Sequence, residues 1–253
     1  IFPEQDIIQG QSQALFPLDL AYYPSHRGPY NFNPAAASDG ILPNPRGNFA
    51  GITRPINTTD FEKSNVEYIQ FWVMDPFIYE EYDNNPGGFI HFNLGNISDD
   101  ILKDGRKQYE NGLPLDGSDH NTIPTIWGKV PSNQSLVYTF SSEGEERKNQ
   151  DVGLDGLNNA QEAAKFPAFA HFEDPAGDDY QYFLQAEGDI LERYYRYNGT
   201  EGNSPVEVSN TNRGSTTLPD VEDINRDNTM NTINSYYEYS IPFKPVNGRL
   251  DTE

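Results

Sequence analysis

Apolar and aromatic side chains run almost without a break through residues 66–74 (VEYIQFWVM). A run of that kind predicts a strand buried on both faces, with Ile69, Phe71 and Val73 turned into the main core. Asp75 and Pro76 stop it, residues 84–88 (NNPGG) supply turn chemistry, and residues 89–94 (FIHFNL) follow as the antiparallel partner. A second pattern, at 236–243 (YYEYSIPF), alternates. Tyr237, Tyr239, Ile241 and Phe243 fall on one face, Glu238 and Ser240 on the other, which is the period of a half-buried strand. Shorter strands are expected at 16–23, demoted to an edge by Pro17, and at 136–140.

Helical signals are few. Residues 160–166 (AQEAAKF) are good helix formers, and Ile190, Leu191, Tyr194 and Tyr195 recur at helical spacing, a stripe that reads as core. Ser98 heads a capped turn at 98–102, and 143–150 reads as a solvated charge run. The elements combine into a mainly β fold. It is a jelly-roll-like β-sandwich with a long irregular and partly helical insertion. Residues 1–60 form an extended, turn-rich N-terminal segment, and the aromatics of 24–32 are expected to pin that stretch to a neighbour. The sandwich domain spans 61–253, with the insertion at about 96–235.

Composition agrees. Of 253 residues, 21 are Gly and 19 Pro, which favours short strands and ordered loops. Mean hydropathy is −0.75, yet 16 Tyr and 15 Phe can still build a core. The formal net charge of −22 argues against nucleic acid as a partner and favours cations, calcium above all. The absence of Cys excludes disulfides and thiolate metal sites. No run reaches the ~20 apolar residues of a membrane helix. The chain begins at Ile1 with no signal peptide and reads as a piece of a longer one.

Two segments carry the spacing of calcium loops. In 151–162 (DVGLDGLNNAQE), Asp151, Asp155, Asn159 and Glu162 fall on the first, fifth, ninth and twelfth positions of an EF-hand register, with Gly156 at the turn. Gly153 stands where a third-position oxygen is expected. The alternative is an acidic turn facing the dipole of the following helix. In the second segment Asp223, Asn225 and Asp227 take positions one, three and five, but Asn228 replaces the glycine and Asn234 the final glutamate. There the alternative is a turn held by Asx hydrogen bonds. The four histidines (26, 91, 120 and 171) form no ligand spacing, and His91 reads as a packed residue. No nucleophile elbow, phosphate loop or dinucleotide fingerprint occurs. The chain is expected not to be an enzyme.

Blocks throughout the chain carry a family resemblance. They are 22–32 (YYPSHRGPYNF), 59–77 (TDFEKSNVEYIQFWVMDPF), 92–98 (FNLGNIS), 104–107 (DGRK) with 110–114 (ENGLP), 149–157 (NQDVGLDGL), 174–180 (DPAGDDY) and 218–229 (LPDVEDINRDNT). Together they resemble the SprA/Sov proteins of the Bacteroidota. The resemblance implies a very large outer-membrane β-barrel through which type IX secretion substrates leave the cell, and in gliding species a role in motility. It supplies no catalytic residues. This chain has too few membrane-type strands to close a barrel. It is expected to be a water-soluble domain with a structural, gating or partner-docking role, associated with the outer membrane at the cell surface or the periplasmic face. Its expected partners are the remainder of the same protein, other type IX components and exported substrates. The other reading is a calcium-assisted carbohydrate-binding module, in which Trp72, Trp127 and many Tyr stack on sugars, although the run around Trp72 reads as core.

Overall fold

The computed structural model describes residues 20, 22–28, 31–56, 60, 62–63, 67–69, 71–73, 75, 77, 86–107, 109–133, 139–141, 144–196, 218–225, 227–247 and 249–252. Within these, five strands and three short α-helices occur. The strands are β1 (Gly88–Asn96), β2 (Thr122–Pro124), β3 (Lys129–Pro131), β4 (Ser235–Val246) and β5 (Arg249–Asp251). The helices are α1 (Gly144–Lys148), α2 (Asn159–Lys165) and α3 (Ile190–Arg196), with 3-10 turns at Pro45–Gly47 and Pro167–Phe169. The strands form antiparallel sheets ordered β1-β4-β5 and β2-β3. The mainly β expectation holds in that coarser form. The described strands are fewer than the eight of a jelly roll.

The expected central strand is not where the core lies. Residues 67–69 and 71–73 are irregular, and Tyr68, Ile69, Phe71, Trp72 and Val73 are all exposed; residues 66, 70 and 74 lie outside the described set. Residues 89–94 pair instead with the alternating C-terminal segment. Ile90 faces Ile241, Phe92 faces Tyr239 and Leu94 faces Tyr237. Directly opposed residues share a face, so these six, with Phe243, line one apolar side of a long ribbon. The other side carries His91 opposite Ser240 and Asn93 opposite Glu238. Phe71 reaches only the edge of this arrangement, its ring 5.3 Å from that of Phe92. No residue of β1 or β4 is buried. His91 is correspondingly exposed, its Nδ1 2.8 Å from Ser240 Oγ, rather than packed.

Burial concentrates in the stretch read as an insertion. Leu102, Tyr109, Leu113, Val130, Val152, Leu154, Leu157, Phe169, Ala176 and Ala186 are buried. Phe32 reaches in from the N-terminal segment to pack with Phe169 and Ala176, flanked by Trp127, Phe166 and Phe172. The Phe32 ring lies edge-on to those of Phe166 and Phe169, at 5.2 and 5.8 Å, an arrangement favoured by ring quadrupoles. Arg27 completes the anchor. Its guanidinium stacks 3.9 Å from the Phe172 ring centre and donates to the carbonyls of Asp174 and Pro175. The aromatics of 24–32 thus do pin this segment to a neighbour, as expected.

Other local expectations fare unevenly. α2 forms, and Asn158 caps it reciprocally with Gln161, each side chain accepting from the other's backbone N–H. α3 forms too, but its stripe is not core, since Ile190, Leu191 and Tyr195 are exposed. Tyr195 packs edge-on to Tyr23 and His26. The charge run at 143–150 contains α1 rather than a solvated turn, and its Arg147 is buried. No helix forms at 98–102, although Ser98 Oγ accepts from Asp100 N at 3.2 Å as its expected capping role requires; the Asp100 carboxylate accepts in turn from the N–H groups of Asp104 and Gly105. At 16–23, the described residues Leu20, Tyr22 and Tyr23 are not in a strand; of 136–140, residues 136–138 lie outside the described set.

Candidate functional site

The loop 151–157 is clamped by its neighbours. Asp155 O accepts from Lys129 N at 2.9 Å, joining the loop to β3. Gly156 has φ +74°, and a Cβ there would collide with the Lys129 carbonyl. A Cβ on Gly128 would collide with the carbonyl of Asp155. Two glycines therefore allow the loop and the β2–β3 turn to touch backbone to backbone, which aims the Asp155 side chain inward. α2 follows immediately and presents Glu162 from its first turn.

A third acid meets them from a separate turn. Asp174 accepts from the N–H groups of Gly177, Asp178 and Asp179, and this compact turn delivers Asp178. One carboxylate oxygen each from Asp155, Glu162 and Asp178 lies within 4.8 Å of the others. The three residues are 5%, 0% and 3% exposed. Each uses its hydrogen bonds incompletely. Asp155 Oδ1 accepts from Leu157 N and Glu162 Oε2 from Ala176 N, both at 2.8 Å. Asp155 Oδ2, Glu162 Oε1 and Asp178 Oδ1 have no hydrogen-bond partner.

The electrostatics follow from burial. Removal from water pushes the Asp155 carboxyl up to about 7. Removal from water, with the Asp155 charge adding to it, pushes Glu162 to about 9. Asp178 rises well above the usual range, by burial first and then by the charges of Asp155 and Glu162. Lys165 partly offsets this at Asp155, but its ammonium is held by the carbonyls of Thr125 and Gly128. A cavity of about 10 Å³, lined by Phe32, Leu102, Trp127, Ala176, Asp155 and Asp178, adjoins the cluster.

The register of the 151–162 loop thus brings together Asp155 and Glu162 only. Asp151 turns away to a buried ion pair with Arg147, at 3.0 Å. Asn159 donates to the Glu173 carbonyl and to Asp179 Oδ2. Asp178 was not singled out from sequence as a ligand. Its signal was the acidic, glycine-turned run 174–179 (DPAGDD). In the second segment the acids serve the backbone. Asp223 accepts from the N–H groups of Asp227 and Asn228 and pairs with Lys107 at 3.3 Å. Asn225 Oδ1 accepts from Asp227 N, and Asp227 accepts from Thr229 and Asn231. These contacts make the Asx-bonded turn.

Two further buried acids act as ties. Glu110 accepts from Val152 N and Asp220 N, joining three distant segments. Glu222 accepts from Leu102 N, and burial followed by the charges of Asp104 and Asp100 raises it to about 8. Trp127 donates its indole N–H to the Leu102 carbonyl at 2.6 Å and packs, partly buried, against the core.

A small-sheet scaffold with buried carboxylate ties is a class of architecture rather than a function, and the comparison with known proteins narrows it. Residues 154–253 match the SprA_N family, described as motility related/secretion protein. The match supports the SprA/Sov resemblance and a motility- or secretion-related role. It covers Asp155, Glu162, Asp178 and all of β4 and β5. No curated protein matches the chain. No helix among the described residues is long and apolar enough to cross a membrane.

Proposed function

We propose that this chain is a non-enzymatic structural and docking segment of the outer-membrane translocon of the type IX secretion system, serving protein export and, in gliding species, motility. The supporting observation is the β1–β4 ribbon. Its apolar side leaves Tyr237 78% and Tyr239 60% exposed, and exposed aromatic area on that scale marks an interaction surface. Among the described residues β1 is also an edge strand, with backbone groups able to template pairing with another strand. The occupant is the remainder of the same large protein, which adds its own sheet to that edge. Other secretion components and exported chains are secondary partners. The net charge of −22 steers or repels exported segments by long-range electrostatics.

The test places Tyr239→Asp in the full-length protein in cells. Tyr239 is exposed, so the 253-residue chain should melt within a degree or two of wild type, on the order expected for surface changes. Export of type IX cargo should fall sharply. Normal export by this variant refutes the docking role. Hydrolysis of glycans or peptides by the purified chain, lost on replacing a single carboxylate, refutes the non-enzymatic reading. Specific binding on a glycan array would transfer support to the carbohydrate-binding reading.

A further inference from the structure

We propose that Asp155, Glu162 and Asp178 hold a structural calcium ion that locks the 151–157 loop, α2 and the 174–179 turn together. Three carboxylates converge, all more than nine-tenths buried. Three like charges cannot share a water-poor site without a counter-charge. Lys165 brings one positive charge toward Asp155 while its ammonium bonds two carbonyls, which leaves negative charge in excess, because the neighbouring Asp174 and Asp179 are acidic too. Protonation relieves the repulsion when no cation is bound, which is the direction in which burial moves all three carboxyls. Asp155 Oδ2, Glu162 Oε1 and Asp178 Oδ1 have no hydrogen-bond partner in the fold. They are acceptors without a donor, the arrangement a cation completes.

The donor set selects the ion. It is all carboxylate, with no His or Cys among the three, which suits a hard cation. Oxygens within 4.8 Å of one another can meet on one ion, at about 2.3–2.6 Å for calcium or about 2.0–2.1 Å for magnesium. Magnesium keeps several waters and about 2.0–2.1 Å octahedral geometry. A 10 Å³ cavity has room for roughly one water, which disfavours it. The same volume excludes an organic ligand. Closure by burial assigns the ion a structural role, in which it joins three segments that otherwise repel.

The experiment uses the 253-residue chain, stripped with chelator and titrated with calcium chloride by calorimetry, alongside melts in millimolar calcium, millimolar magnesium or chelator. One calcium per chain should bind, and calcium should raise Tm while magnesium raises it much less. Asp178→Asn removes one of three mutually repelling charges. It should therefore melt at or above wild type in chelator while losing calcium affinity by about tenfold or more. Glu162→Gln should lose the calcium response likewise. Asp227→Asn, in the other acidic loop, should bind calcium as wild type does. Identical wild-type melts in calcium and chelator, with no binding heat, overturn the proposal. So does calcium binding that survives in Asp178→Asn but fails in Asp227→Asn, which moves the ion to the 223–227 turn. Equal stabilisation by magnesium overturns the choice of calcium. Because these readouts use only the isolated chain, they stand or fall separately from the secretion role.

Discussion

At the scale of single residues, the acids divide by what they face. Asp223 and Asp227 bond to N–H groups of their own turn, a role that residue type and spacing already suggest. Glu110, Glu162 and Glu222 are 1% exposed or less, and nothing in their sequence context distinguishes them from a solvated glutamate. Burial then sets their chemistry. Glu222 titrates near 8 in the fold against an ordinary 4.5. A raised carboxyl contributes stability below its unfolded value and loses it as pH rises through the folded value. For Glu222 that window runs from 4.5 to about 8. Other raised carboxyls give the wild type a decline of the same sign, so the informative quantity is a difference. Glu222→Gln keeps an acceptor for Leu102 N and cannot ionise. Melts in chelator should show its Tm gaining on wild type as pH rises from about 5 to about 8. A gap that stays constant across that range contradicts the assignment.

At the scale of elements, periodicity identified which residues share a face but not which faces are covered. Tyr237, Tyr239, Ile241 and Phe243 do lie on one side of β4, and α2 and α3 form where helix formers and helical spacing place them. The apolar run at 66–74 misled because its described residues meet no covering layer. Continuous hydrophobicity signals burial only if a partner exists. The same contrast yields a paired measurement. Phe169 is 1% exposed within the aromatic cluster, and Phe169→Ala should cost ~3–5 kcal/mol in urea unfolding. Phe71, 42% exposed, should cost under ~1 kcal/mol on the same change. A larger loss at Phe71 than at Phe169 would place the core back at the 66–74 run.

At the scale of the whole molecule, two regions differ in how they are held. Segments around 110, 130, 152 and 220 are tied by buried bonds such as Lys129 N to Asp155 O and Val152 N to Glu110, while no residue of the β1–β4 ribbon is more than half-buried. Amide exchange tracks the ease of local opening. The N–H groups of Lys129, Val152 and Ala176 should therefore exchange far more slowly than those of β1 in the isolated chain, and docking of the ribbon should reverse its fast exchange. Uniform protection across both regions would show that the ribbon is already covered. Taken alone, the sequence determined the properties that depend on neighbours along the chain. These are the acidic, cysteine-free character, the alternation of β4, the helix at α2 and the glycine at the loop turn. Tertiary structure alone decided that 88–96 pairs with 235–246, that Phe32 crosses to Phe169, and that Asp178 joins the two acids while Asp151 leaves for Arg147. Each of those joins segments distant in sequence or chooses between competing partners. Local pattern cannot rank such contacts, because their free energy comes from burial and pairing that exist only once the chain has closed on itself.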